Sequence, residues 1–211
     1  VTLEAVLWDS DSTLVDSRPL HFRKHQEILR TYGIELDPAH EENIYKWNAP
    51  KIHEWLVDSY GLTAERDLYV QLVSEWYNAH AHELMPGPGV GQSLQFLHER
   101  SVPMAVVSNG RRASVDVSLG SLRAAELIDV IVTKEDVMHL KPHPEPYQLA
   151  LTRLEKKYGR PFNAAACLAI DDHEDGIASA TGAGVAVYHI NLKDPVEKLP
   201  AFLERAYYGP A

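Results

Sequence analysis

After residue 84 the chain settles into a regular alternation of two textures, and that alternation constrains the fold more than any other feature. The segment Met85-Pro86-Gly87-Pro88-Gly89 is a break rich in Pro and Gly. Beyond it a helical pattern over residues 89–100 leads to a short apolar strand at 103–107, then a helix through Leu119 and a strand at 130–132. A helix over 144–158 follows, with Tyr147, Leu151, Leu154 and Tyr158 on one stripe. A strand at 167–170, a short helix, a strand at 185–189 and a helix over 195–207 complete the series. Short strands that are apolar at consecutive positions, separated by helices, predict a parallel sheet covered on both faces.

Upstream the texture differs. The run Ala5-Val6-Leu7-Trp8 reads as one more buried strand and stops abruptly at Asp9-Ser10-Asp11. From about residue 18 to 83 only helical patterns appear. Pro19 starts a helix carrying Phe22, Ile28, Leu29 and Tyr32, which Gly33 ends. Residues 51–60 and 64–82 also read as helices. The predicted architecture is a three-layer α/β core interrupted after its first strand by an all-helical block. In such sheets ligands bind beyond the carboxyl ends of the strands.

Polar residues of one coherent chemistry occupy those ends. The first strand ends at Asp9 and Asp11, the next at Ser108-Asn109-Gly110, and the third precedes Lys141-Pro142. The fourth ends at Asp171-Asp172. Carboxylates brought together repel, by several kcal/mol at roughly 4 Å with an effective dielectric of about 20. A hard divalent cation with oxygen ligands answers that repulsion, and Mg²⁺ typically combines a few carboxylates with a substrate phosphate. Ser108 and Lys141 add donors that suit phosphoryl oxygens.

Taken in order, the segments Ala5 to Ser17, Val106-Val107-Ser108-Asn109-Gly110, Lys141-Pro142-His143-Pro144-Glu145-Pro146-Tyr147 and Ile170-Asp171-Asp172-His173-Glu174-Asp175-Gly176 resemble the four motifs of the haloacid dehalogenase-like superfamily. Their spacing is similar to the subfamily that includes beta-phosphoglucomutase and phosphoglycolate phosphatase. The resemblance implies a Rossmann-like catalytic core formed by residues 1–16 and 85–211, with residues 17–84 as a helical cap that selects substrate. It further implies that Asp9 is the nucleophile, forming an aspartyl-phosphate, and that Asp11 is the acid/base. Ser108 and Lys141 would bind phosphate, with backbone N–H groups near Asn109 helping. Asp9, Asp11 (through its carbonyl), Asp172 and Asp171, directly or through water, would hold Mg²⁺. Ser12 stands where most members have Gly, Asp171 where Glu is usual, and His173 where Ser is frequent.

In the helical block His21 follows Asp16-Ser17 at the spacing of many members, and Tyr45 to Lys51 lies where the family places a specificity loop. His21, Lys46, Trp47 and Asn48 are therefore the candidate substrate contacts. The expected activity is phosphate release from a small phosphorylated metabolite, a sugar phosphate or a phosphoglycolate-like compound. A phosphomutase using the same residues and a catalytically silent binding protein are the alternatives.

Composition narrows the partners. The net charge is -10, which argues against nucleic acid or an anionic membrane. No apolar run approaches the roughly 20 residues of a membrane span. The single cysteine, Cys167, excludes an internal disulfide and reads as a buried strand residue. The first residues lack a secretory-signal pattern, so a cytoplasmic enzyme is expected. His80, His82 and Glu83, and the pair His139 and His143, lack the complementary ligands of a usual zinc site.

Overall fold

The structure, a computed structural model, describes residues 3–209. The chain divides into two compact units, one formed by Val1–Asp16 with Met85–Ala211 and the other by Ser17–Leu84. The first is an α/β unit. Its strands β1 (Ala5–Trp8), β4 (Met104–Val107), β5 (Val130–Val132), β6 (Cys167–Asp171) and β7 (Ala186–His189) form one parallel sheet in the order β5-β4-β1-β6-β7. A two-residue antiparallel ladder joins β2 (Val15–Asp16) to β3 (Met85–Pro86), pairing the chain where it leaves this unit with the chain where it returns. Neither short strand is apparent from periodicity, because two residues carry no period.

The consecutive apolar residues of each strand serve two different cores. Val6, Trp8, Met104, Val106, Leu168 and Ile170 point to one face, where they meet helices α5 (Val90–Glu99), α6 (Arg112–Ser121) and α9 (Lys198–Tyr208) through Leu94, Leu97, Val115, Leu119, Leu199 and Leu203. Ala5, Leu7, Ala105, Val107, Cys167 and Ala169 alternate to the other face, against α7 (Glu145–Tyr158) and α8 (Glu174–Gly182). This period-two division is why the strands read as unbroken apolar runs rather than as alternating patterns. The expected three-layer α/β architecture is the one observed. β1 lies at the centre of the sheet, so Asp9, at its carboxyl end, is flanked by the ends of β4 and β6.

The helical unit holds α1 (Arg18–Arg30), α2 (Glu41–Lys46), α3 (Ala49–Tyr60) and α4 (Arg66–His80) around its own apolar core, which includes Leu29, Ile44, Ile52, Leu56, Tyr69 and Val73. Asn48 begins α3 by accepting a hydrogen bond from Lys51 N at 3.0 Å, Pro50 sits in its first turn, and Gly61 ends it with φ +68°. The short α2 carries too few turns to show a period. Its presence corrects the reading of residues 45–51 as a loop: Tyr45 and Lys46 finish α2, and Ala49 already opens α3.

Candidate active site

The site is built from the strand ends of the α/β unit. Asp9 N donates to Ile170 O at 2.9 Å, which extends the β1–β6 ladder to the aspartate. The chain then turns back. Leu14 N and Val15 N both donate to Ser10 O, Asp11 bridges Val15, and Ser12 takes a left-handed conformation with φ +62°. That conformation explains why Gly is common at this position, since a side chain there costs about 1–2 kcal/mol. On β4's side, Ser108 N donates to Val132 O, and the buried Ser108 Oγ accepts from Gly110 N at 2.9 Å.

Lys141 is the hub. Its ammonium donates to Asp9 Oδ1 and to Asp171 Oδ2, each at 2.8 Å. The side chains of Lys141, Asp9 and Asp171 are 4%, 13% and 2% exposed, so these are interior ion pairs and not surface contacts. Burial works against the charged lysine, yet the charges of Asp9 and Asp171 hold its pKa well above the ordinary value. Asp9 is pushed well above the usual carboxylate range, by burial first and then by Asp171 and Asp172, against the lowering influence of Lys141.

Asp171 is held by protein donors on both oxygens. Oδ2 also accepts from Tyr147 Oη at 2.9 Å, and Oδ1 accepts from His173 N at 3.0 Å. Gly176, in the first turn of α8, lies so close that a Cβ there would overlap the Asp171 carboxylate. Only glycine lets the helix approach this far.

Asn109 occupies a place the sequence reading did not anticipate. Its amide donates to Lys141 O at 3.1 Å and accepts from Lys141 N at 2.9 Å, so its side chain clamps the lysine's backbone. The Lys141–Pro142 peptide bond is cis. Glu145 holds the preceding loop by accepting from the backbone N–H of Met138 and His139, each at 2.9 Å. His139, His143 and Glu145 do cluster, with ring centroids 4.5 Å apart, but Glu145 Oε2 meets His139 Nδ1 and His143 Nδ1 accepts from Glu145 N. These contacts order the loop in front of Lys141.

The carboxylates of Asp9, Asp171 and Asp172 bring ligand atoms within 4.8 Å of one another. Burial first, and then the neighbouring carboxylates Asp171 and Asp172, raise the Asp9 pKa against the pull of Lys141. An all-oxygen donor set of clustered carboxylates fits a hard divalent cation. Asp9 and Asp171 share the Lys141 ammonium, and both oxygens of Asp171 already accept hydrogen bonds from protein donors.

The helical unit's candidates are placed as follows. His21 Nδ1 meets Lys24 Nζ at 2.8 Å, and its ring lies 5.0 Å from that of Tyr77. Trp47 packs edge-on against Trp55 at 5.6 Å, under the ammonium of Lys51. Asn48 is the cap of α3. Lys46 ends α2, and its side chain lies outside the described residues.

A profile described as haloacid dehalogenase-like hydrolase matches residues 6–190, most of the chain. The protein belongs to the haloacid dehalogenase-like hydrolase family. It is 29% identical over 185 residues to a protein from Bacillus cereus named pyrophosphatase PpaX, covering 86% of this chain and 80% of that one. A relative of the same name from Oceanobacillus iheyensis is 28% identical over 158 residues, covering 73% of this chain and 70% of its own. Among solved structures, a beta-phosphoglucomutase from Clostridium difficile superposes with a TM-score of 0.75 at 19% identity, covering 98% of both chains. A mutant of CbbY from Rhodobacter sphaeroides, in complex with xylulose-(1,5)bisphosphate, gives 0.75 at 21% identity over 90% of this chain and 88% of that one. These two structural likenesses speak for the fold.

Proposed function

We propose that the protein is a Mg²⁺-dependent phosphatase that hydrolyses a small phosphorylated metabolite through an aspartyl-phosphate on Asp9. The observation that carries this reading is the Lys141 ammonium, buried 2.8 Å from both Asp9 and Asp171 at the end of the central strand. A buried cation beside a carboxylate nucleophile suits a transferring group that arrives with negative charge on its oxygens.

In the first step an Asp9 carboxylate oxygen attacks phosphorus in line, the bond from phosphorus to the ester oxygen breaks, and Asp11 gives that oxygen its proton. In the second step Asp11, now a carboxylate, takes a proton from water. The water oxygen attacks the same phosphorus, and Asp9 is released with inorganic phosphate. Ser108 and Lys141 donate to the phosphoryl oxygens throughout, while Asn109 keeps Lys141 in register. Asp9, Asp172 and the Asp11 carbonyl would hold Mg²⁺, which when bound supplies positive charge that keeps Asp9 ionised and neutralises the phosphoryl oxygens.

Hydrolysis rather than transfer to a second hydroxyl is favoured by the relatives named pyrophosphatase, which share 28–29% identity with the chain. The substrate is accordingly a small phosphate compound, with pyrophosphate joining sugar phosphates and phosphoglycolate as the ones to try. The helical unit is assigned the choice among them, with His21 and Lys46 as its candidate contacts and Trp47 and Asn48 ranked below them because of their packing and capping roles. A panel of phosphorylated metabolites assayed for phosphate release tests the reading. Release in Mg²⁺ that stops with excess chelator and returns with added Mg²⁺ supports it. Full turnover in metal-free buffer, or conversion of glucose 1-phosphate to glucose 6-phosphate without phosphate release, contradicts it.

A further inference from the structure

We propose that Tyr147 is a positioning residue for the catalytic lysine, its hydroxyl holding Asp171 in the one orientation that keeps the Lys141 ammonium between Asp171 and Asp9. The inference rests on the phosphatase reading for its kinetic consequence, but its geometry belongs to the α/β unit alone.

Tyr147 is fully buried on α7, and its neighbours on that helix, Ala150, Leu151 and Leu154, are apolar. Packing there asks only for an aromatic ring. A hydroxyl added to such a place is unfavourable unless it finds a partner, and this one finds Asp171 Oδ2 at 2.9 Å. The same oxygen accepts Lys141 Nζ at 2.8 Å, and the other accepts His173 N at 3.0 Å. The carboxylate therefore has a donor on each oxygen and a second on Oδ2, and it has no freedom to rotate. The tyrosine ring meets the same lysine from a third direction, its centroid 5.1 Å from Nζ, within the range in which a cation is attracted to an aromatic face.

Asp9 and Asp171 compete for a single ammonium. With Tyr147 meeting part of the demand of Asp171 Oδ2, the ammonium stays at equal distance from both carboxylates, where on the phosphatase reading it would also meet a phosphoryl group attached to Asp9. Without that hydroxyl, Oδ2 has only the lysine to satisfy it, and the ammonium is drawn toward Asp171 and away from the nucleophile.

Tyr147→Phe tests this, because it removes one oxygen and leaves the ring. The first readout is independent of activity. The Lys141 ammonium is buried enough to give its own nitrogen–proton correlation in ¹⁵N NMR, identified by its loss in Lys141→Arg, and it should shift or broaden away in Tyr147→Phe. The second readout is kinetic, in Mg²⁺ and with the best phosphoester found. The value of kcat should fall about tenfold, as for a lost hydrogen bond to a charged group, with KM nearly unchanged. Leu151→Ala, a cavity variant on the same helix, should lower Tm more than Tyr147→Phe does while leaving kcat in place. An ammonium signal that Tyr147→Phe leaves untouched overturns the proposal whatever happens to kcat. A kcat loss shared equally by Leu151→Ala also overturns it, since that is the mark of a merely structural role. A wild-type protein that releases phosphate from no ester sinks the phosphatase reading, while the ammonium signal still decides the role of Tyr147.

Discussion

In the α/β unit a lysine and two aspartates are buried together at the strand ends, whereas the helical unit buries a histidine and a tyrosine against each other between helices. Lys141 bridges Asp9 and Asp171 with side chains almost out of solvent. In the helical unit the buried His25 Nδ1 lies 2.5 Å from Tyr69 Oη, and burial, helped by Lys24 and His21, drives the His25 pKa well below its ordinary 6.5. The described ion pairs of that unit, such as Arg23 with Glu83, stay at the surface. The difference is instructive. A folded unit with no task for internal charge buries polar groups in neutral form, because desolvating ions is costly. Among the described residues the α/β unit bears that cost at one point, where four strand and loop ends converge.

If this contrast is real, the two units should fail differently. The largest effect is expected from Asp9→Asn, which removes the attacking oxygen and should reduce phosphate release to background with the fold retained, as checked by activity assay beside circular dichroism. Next comes Lys141→Met. It strands Asp9 and Asp171 without their cation, and breaking a buried pair in this way costs about 3–5 kcal/mol. Urea denaturation in metal-free buffer should show that loss along with the loss of activity, and a variant as stable as the parent would mean that the pairing does not hold the strand ends together.

The helical unit responds to pH instead. A histidine whose pKa is depressed by folding binds a proton more readily when unfolded, so stability is present above the unfolded value near 6.5 and is lost as pH falls below it toward the folded value. The slope contributed by His25 should be about 1.4 kcal/mol per pH unit in that window. Denaturation midpoints between pH 7.5 and 5 should fall less steeply in His25→Gln than in the parent, and parallel slopes would remove His25 from the account. The smallest effect separates structure from recognition. If Asn48 is the cap of α3, Asn48→Ala should cost about 1 kcal/mol and leave KM alone. A rise in KM without loss of stability would return Asn48 to the substrate contacts.

The same contrast governs what could be read from the sequence. The parallel strands were legible because each is an apolar run between turn signals, and Cys167 to Ile170 lies within the strand expected for it. Asp9, Asp11, Lys141 and Asp172 could be nominated because each directly follows a strand or lies in the loop beyond one, at the carboxyl edge of the sheet. What escaped is tertiary. Asn109 meets the backbone of a residue 32 positions away, and Tyr147 meets one 24 positions away while also fitting the apolar stripe of α7. No local pattern announces either contact. Gly176 was visible as a motif letter, but its reason, the bare backbone against Asp171, exists only in three dimensions. In the helical unit Trp47 and Asn48 looked like recognition residues because they fall where the family places a specificity loop. The short helix before them and the cap role of Asn48 give both a structural use.

The central claim is that Asp9 carries the phosphoryl group and Asp11 only moves protons. Asp11→Asn keeps the nucleophile and should slow hydrolysis of the intermediate by roughly 10²–10⁴-fold, the usual worth of general-base help. Brief exposure of that variant to an activated phosphoester in Mg²⁺, followed by acid quench and peptide mass spectrometry, should show the added phosphoryl mass on the peptide containing Asp9, at Asp9 itself. Finding the phosphoryl mass on another residue, or finding that Asp9→Asn acquires it as readily, would contradict the account.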